Sequence, residues 1–148
     1  MPTDNARQSV EVEARHADVL AMLRDVARQP EWIPQILEAE VLSTDEDGLP
    51  LTARFAASSS VGTDRYTLAY EHSPHGLSWS MVKGRLQTGQ EGVYTLESAG
   101  RGRTRVTYDL TIHHNLPLPG FMRSRVIKGL VSDTLTGLQS RFPARTHR

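Results

Sequence analysis

Cysteine is absent from the 148 residues. That removes disulfides, thiolate nucleophiles and cysteine-ligated zinc, and it fits a chain working in a reducing compartment. Neither sign of charge is in excess, since 17 Lys and Arg stand against 17 Asp and Glu. No stretch gathers the basic residues that a nucleic-acid footprint requires, so nucleic acid is not expected as a partner. Long apolar runs are missing too. Met1 to Gln8 is polar with no hydrophobic segment behind it, and nothing approaches the roughly 20 apolar residues of a membrane span. The expectation is a cytoplasmic protein, monomer or homodimer, without stable membrane insertion. Also lacking are a glycine-rich nucleotide motif and a G-x-S-x-G elbow around Ser58, Ser59 and Ser60, so no cofactor and no serine nucleophile are expected. The histidine pairs His72/His75 and His113/His114 lack a third ligand and the i, i+4 helical spacing of a metal site. They read as surface residues, with no metal expected.

What is present is periodicity. Ser9 to Ala14 alternates, with Val10, Val12 and Ala14 on one side, which predicts a half-buried first strand. Val19, Leu20, Met22, Leu23 and Val26 recur every three or four residues, as a short helix requires, and Asp18 suits its first turn. Pro30 and Pro34 flank Glu31, Trp32 and Ile33 and hold Trp32 on a stiff corner. From Ala39 to Ile112, turns at Asp45–Gly48, Ser73–Gly76, Lys83–Gly84 and Gly100–Gly102 divide runs with period two, predicting about six antiparallel strands. Two prolines between Leu116 and Gly120 stop the last strand, and Phe121 to Arg141 reads as one long helix. Its apolar stripe is Met122, Val126, Ile127, Leu130, Val131, Thr134, Leu135 and Leu138. A sheet with one apolar face and one long helix to cover it makes a layered α+β domain. The tails, Met1 to Asn5 and Pro143 to Arg148, read as frayed.

The order of these signals resembles the START-like (SRPBCC) superfamily, of polyketide cyclase/dehydrase type. The residues carrying the resemblance are the strand into the helix His16 to Leu23 and the segment Gln29-Pro30-Glu31-Trp32-Ile33-Pro34, similar to the family's "YPEW". The strands Leu77 to Gly84, Gly92 to Leu96 and Thr104 to Tyr108, and the Pro-rich Leu116 to Phe121, complete it. The resemblance implies a single domain over 1–148, with its core at about 9–142. It implies a helix-grip (START-like, Bet v 1-like) fold, a curved antiparallel sheet wrapped around the long C-terminal helix, with a cavity between them. It further implies binding of a hydrophobic small molecule of polyketide, lipid or isoprenoid type. Three readings stay open: a polyketide cyclase/dehydrase, a non-catalytic carrier or chaperone of a lipid or quinone, and a protein-interaction module with a closed cavity.

The candidate ligand contacts follow from the inward face. Tyr66, Tyr70, Trp79, Tyr94 and Tyr108 bring rings with polar tips, which suit flat, oxygenated ligands. Phe55, Met81 and Leu110 share that face, and Ile127 and Leu130 face it from the helix. Arg123, in the helix's first turn, is a candidate clamp on a polar ligand group, and Thr134 a hydroxyl contact deeper in. Trp32 is a candidate lid beside the opening. Arg54 and Arg65 alternate outward. The superfamily's aromatase/cyclases carry an inward Arg on a central strand; here that strand offers Tyr66, Leu68 and Tyr70, and no residue is assigned a catalytic role.

Overall fold

The computed structural model describes residues 3–59 and 61–143. Ser60 and the tail residues Met1, Pro2 and 144–148 lie outside them. In chain order come β1 (Thr3–Val12), α1 (His16–Arg24), a 3-10 helix (Val26–Glu31), β2 (Ile36–Thr44), β3 (Pro50–Ser59), β4 (Gly62–Ser73), β5 (Gly76–Gly84), β6 (Gln87–Gly100), β7 (Arg103–His114) and α2 (Gly120–Ser140). The strands form one antiparallel sheet in the order β1-β7-β6-β5-β4-β3-β2. Consecutive strands are neighbours except at β1, which reaches β7 because α1 and the 3-10 helix separate it from β2.

Side chains alternate across this sheet as a pleat demands. Ala53 and Phe55, Tyr66, Leu68 and Tyr70, Tyr94 and Leu96, and Val106, Tyr108 and Leu110 are buried on one face. Arg54 and Arg65, on the other face, pair with Glu40 and Glu38. Pro117 and Pro119 bar a further strand, Pro119 takes the N-cap position, and α2 then packs chiefly across β1 and β7. Ile127, Val131, Leu135 and Leu138 are its buried anchors, each contributing roughly 1.5–3 kcal/mol by leaving water.

Two expectations about the ends need correction. The first strand starts at Thr3, not Ser9, so Thr3, Asp4 and Asn5 are not a frayed tail. They pair with His113, Ile112 and Thr111 of β7, and the Asn5 amide also donates to Asp109 and Thr111. Polarity suggests disorder there, but closure against β7 supplies partners that local sequence does not contain. In α2, Met122 and Val126 belong to the predicted apolar stripe yet are exposed, and the helix's buried residues begin at Ile127.

Trp32 sits under the other half of α2. It is buried, and its carbonyl oxygen lies 1.9 Å from where a Cβ on Gly137 would stand. Helix and corner meet backbone to backbone, a contact only glycine permits.

Candidate functional site

Between sheet and helix lies a cavity of about 320 Å³. Its aromatic wall is built from alternate residues of four strands: Tyr66 and Tyr70 of β4, Trp79 of β5, Tyr94 of β6 and Tyr108 of β7. Four of these rings, all but Tyr66, form one connected cluster. Trp79 lies 5.8 Å from Tyr70, 5.1 Å from Tyr94 and 5.8 Å from Tyr108, and Tyr94 lies 4.5 Å from Tyr108. Phe55 stacks on Tyr66 at 5.5 Å. The indole of Trp79 can lie flat over β6 only because its partner in register is Gly92, where a Cβ would come within 2.1 Å of the ring. Leu110, Ile127, Leu130, Thr134 and Arg123 complete the part of the wall that the sequence indicates.

Two indicated residues stand elsewhere. Trp32 is not on the wall: the corner that carries it tucks the indole beneath α2 at Gly137. Met81 is also off it: it stays paired with Leu68, but its thioether folds over Gly84 at the end of β5. Thr134 is on the wall, but its hydroxyl donates to the Leu130 carbonyl one turn back at 2.8 Å, leaving only the oxygen's acceptor capacity to the interior.

The polar part of the wall is not apparent from the sequence pattern. One chain of hydrogen bonds runs behind the rings. The Trp79 indole N–H donates to Gln90 Oε1 at 2.8 Å, the Gln90 amide donates to Gln87 Oε1 at 2.8 Å, and the Gln87 amide donates to Asp64 Oδ2 at 2.9 Å. The Leu86 backbone N–H donates to Asp64 Oδ1 at 2.9 Å. An indole can only donate and a carboxylate can only accept, so the two ends fix the direction of the chain. Asp64 and Gln90 are buried.

A second cluster joins β1, β7 and α2. His114, expected on the surface, is buried. Its Nε2 meets Asp4 Oδ2 at 2.6 Å, and its Nδ1 accepts from the Leu116 N–H at 3.1 Å. An Nδ1 that accepts carries no proton, so the proton sits on Nε2 and is donated to Asp4. With both nitrogens engaged, this imidazole is a neutral strut and not a base facing the cavity. Arg123 Nε lies 3.4 Å from Asp4 Oδ1, within ionic attraction but outside hydrogen-bond alignment. Asp4→Ala should therefore lower stability by about 1–3 kcal/mol, leaving one buried donor and one half-buried cation without their acceptor. Asp4→Asn, which keeps an oxygen for His114, should lose less, as urea denaturation of the two variants would measure.

Period two carried further exposes these residues. Asp64 precedes Tyr66 by two, Gln90 precedes Gly92 and Tyr94, and His114 follows Leu110 and Ile112. Polarity at strand ends reads as the end of the inward face, whereas the face continues and changes character.

The four phenols are neutral throughout the ordinary pH range. Burial pushes Tyr66, Tyr70, Tyr94 and Tyr108 upward; the Asp64 carboxylate adds to this at Tyr66, and at the rest a phenolate on one ring would raise its neighbours further. The Gln90 side chain opposes the shift at Tyr66, and Gln29 opposes it at Tyr70. Tyr94 and Tyr108 lie close enough, 4.5 Å between ring centres, for each to affect the other's ionisation. The wall thus offers hydrogen-bond donors on an apolar background. The residues that both line the cavity and face solvent include Ser58, Ser59 and Val126, so it reaches the surface between the end of β3 and the first turns of α2.

A seven-stranded antiparallel sheet, curved about a long C-terminal helix, defines a START-like helix-grip protein. The chain belongs to the family described as polyketide cyclase / dehydrase and lipid transport, whose model matches residues 3–143. Among solved structures it is similar to a START superfamily protein from Mycobacterium smegmatis. Identity there is 21%, coverage is 93% of this chain and 96% of that one, and the TM-score is 0.85. It is also similar to the Zhui aromatase/cyclase from Streptomyces sp. R1128, with 12% identity, 95% and 93% coverage and a TM-score of 0.78. A third is a protein from Thermus thermophilus, with 19% identity, 93% and 96% coverage and a TM-score of 0.78. At such identities the likeness concerns the fold, which does not by itself assign an activity. No curated protein matches the chain. No helix among the described residues is long and apolar enough to cross a membrane.

Proposed function

We propose that this protein binds a hydrophobic small molecule, with flat rings and one or more oxygens, inside the cavity between sheet and helix. The observation that carries this reading is the convergence of all four tyrosines and Trp79 on one wall of a cavity of about 320 Å³. That volume falls at the lower end of the roughly 300–1,000 Å³ of small-molecule sites. Aromatic faces exclude water and stack on rings, while hydroxyl tips offer donors to a carbonyl or ether oxygen. A polyketide or isoprenoid ring compound has those features. An aliphatic chain offers those hydroxyls nothing to bond.

Binding is the main work on this reading. The groups that ordinarily abstract protons are unsuited to it here, since His114 has both nitrogens engaged and Asp64 already accepts two hydrogen bonds. A cyclase/dehydrase step draws its support from one feature, the Tyr108 and Tyr94 rings 4.5 Å apart on the cavity wall. A neutral phenol on an apolar wall can steady a developing enolate oxygen, so electrophilic assistance by one of this pair is the form such chemistry would take.

The binding reading is tested with N-phenyl-1-naphthylamine, a neutral ring compound whose fluorescence brightens in apolar surroundings. Saturable one-to-one enhancement is expected for the native chain. Leu130→Trp, which places an indole in the cavity, should remove the enhancement at a cost of about 1–3 kcal/mol from overpacking, with the circular dichroism of the fold retained. No enhancement in the native chain, or equal enhancement in the variant, would exclude the cavity as the binding site.

A further inference from the structure

We infer that the cavity discriminates by charge, taking neutral ring compounds and rejecting anionic ones. The inference rests on the binding reading above and names the class of ligand. Among the described residues, only three side chains on the wall carry a formal charge: Asp4, Asp64 and Arg123. Arg123 and Asp4 oppose each other at 3.4 Å, and the imidazole bound to the second oxygen of Asp4 is neutral because its Nδ1 accepts from Leu116. That corner sums to zero. What remains is Asp64, which is buried and has dipolar partners, an amide and a backbone N–H, but no cation among the described residues.

The chain of amides cannot cancel this charge. Its direction is fixed by the indole at one end, so every dipole between Trp79 and Asp64 points its positive end toward the carboxylate and its negative end back toward the rings. Exposed cations close in sequence do not cancel it either. Arg65 faces outward and pairs with Glu38, and Arg85 is exposed, where water and salt screen it. A ligand carboxylate, sulfonate or phosphate would therefore lose its hydration and meet a wall of net negative charge. The cation that would receive it is already matched. Arg123 is the sequence's candidate clamp for an anionic group, and the buried start of β1 alters that role by supplying Asp4. A neutral ligand meets no such penalty and keeps the phenolic donors.

The experiment compares two probes on the full chain by fluorescence titration. N-phenyl-1-naphthylamine is neutral, and 1-anilinonaphthalene-8-sulfonate has the same ring skeleton with one anionic group. Native protein should bind the neutral probe at least about tenfold more tightly, the effect of one uncompensated charge across a cavity of this size. Because the sulfonate also adds bulk, the ratio is read in two variants that change charge with little change in volume. Asp64→Asn should bring the ratio several-fold closer to one, and Arg123→Gln should move it the other way. Equal or tighter binding of the sulfonate by native protein would overturn the inference. So would an unchanged ratio in Asp64→Asn that still binds the neutral probe. Should Asp64→Asn fail to fold, Arg123→Gln decides: a larger ratio supports the charge rule, and an unchanged one overturns it. Failure of the native chain to bind either probe would instead remove the binding reading, and this inference with it.

Discussion

Gly137→Ala is expected to destabilise the protein by about 2–4 kcal/mol, although alanine is the better helix former by about 1 kcal/mol. The added methyl would stand 1.9 Å from the Trp32 carbonyl oxygen and 3.1 Å from its carbonyl carbon. These are backbone atoms at the end of a 3-10 helix and cannot turn aside as a side chain does. Either α2 lifts from the sheet, weakening contacts of Val131, Leu135 and Leu138, or the corner at Trp32 shifts; overpacking of this kind costs about 1–3 kcal/mol and occasionally more. Gly129 supplies the control within the same helix, since nothing lies within 4 Å of a Cβ there. Gly129→Ala should stabilise by about 0.5–1 kcal/mol. Denaturant midpoints that move in the same direction for both variants would contradict the close approach of α2 to Trp32.

Alkaline pH is expected to unfold the protein steeply. All four tyrosines are on the cavity wall, and burial raises each above its ordinary value of 10.0. Below that value both folded and unfolded chains keep the phenolic protons, and these groups add no pH dependence. As pH rises past it, the unfolded chain releases protons that the folded one retains. The unfolded state then binds fewer protons, so stability falls with rising pH until the folded-state values are reached. Four such groups give a limiting slope of about 5 kcal/mol per pH unit, at about 1.4 kcal/mol each. A domain of ordinary stability, about 5–15 kcal/mol, would be exhausted within roughly one to three pH units. Phenolate absorbance and loss of far-ultraviolet circular dichroism should therefore appear together in one transition. A gradual phenolate signal centred near the ordinary tyrosine value, with the fold intact, would show that the rings are open to water.

The α+β class, the strand count and the long terminal helix are legible because they depend on short-range periodicity. An inward face of Phe55, Tyr66, Tyr70, Tyr94, Tyr108 and Leu110 follows from alternation, and the structure places all six on the cavity wall. Met81, read from the same alternation, and Trp32, read from its Pro-flanked corner, stand elsewhere, the first folded over Gly84 and the second drawn under α2. Neither a corner's direction nor the course of a flexible thioether is written in a hydrophobic pattern.

The sequence by itself determined which faces must be buried and where the chain must turn, because a pleat, a helical repeat and a proline act on their immediate neighbours. Tertiary structure alone decided which polar groups share the interior. Asp4 and His114 are 110 residues apart and meet at 2.6 Å, and Trp79, Gln90, Gln87 and Asp64 become one line of hydrogen bonds only when β4, β5 and β6 lie side by side. The charge of the cavity belongs to that second group of facts. Electrostatic pairing depends on distance in space, and the closing of the sheet's far edge by β1 sets that distance.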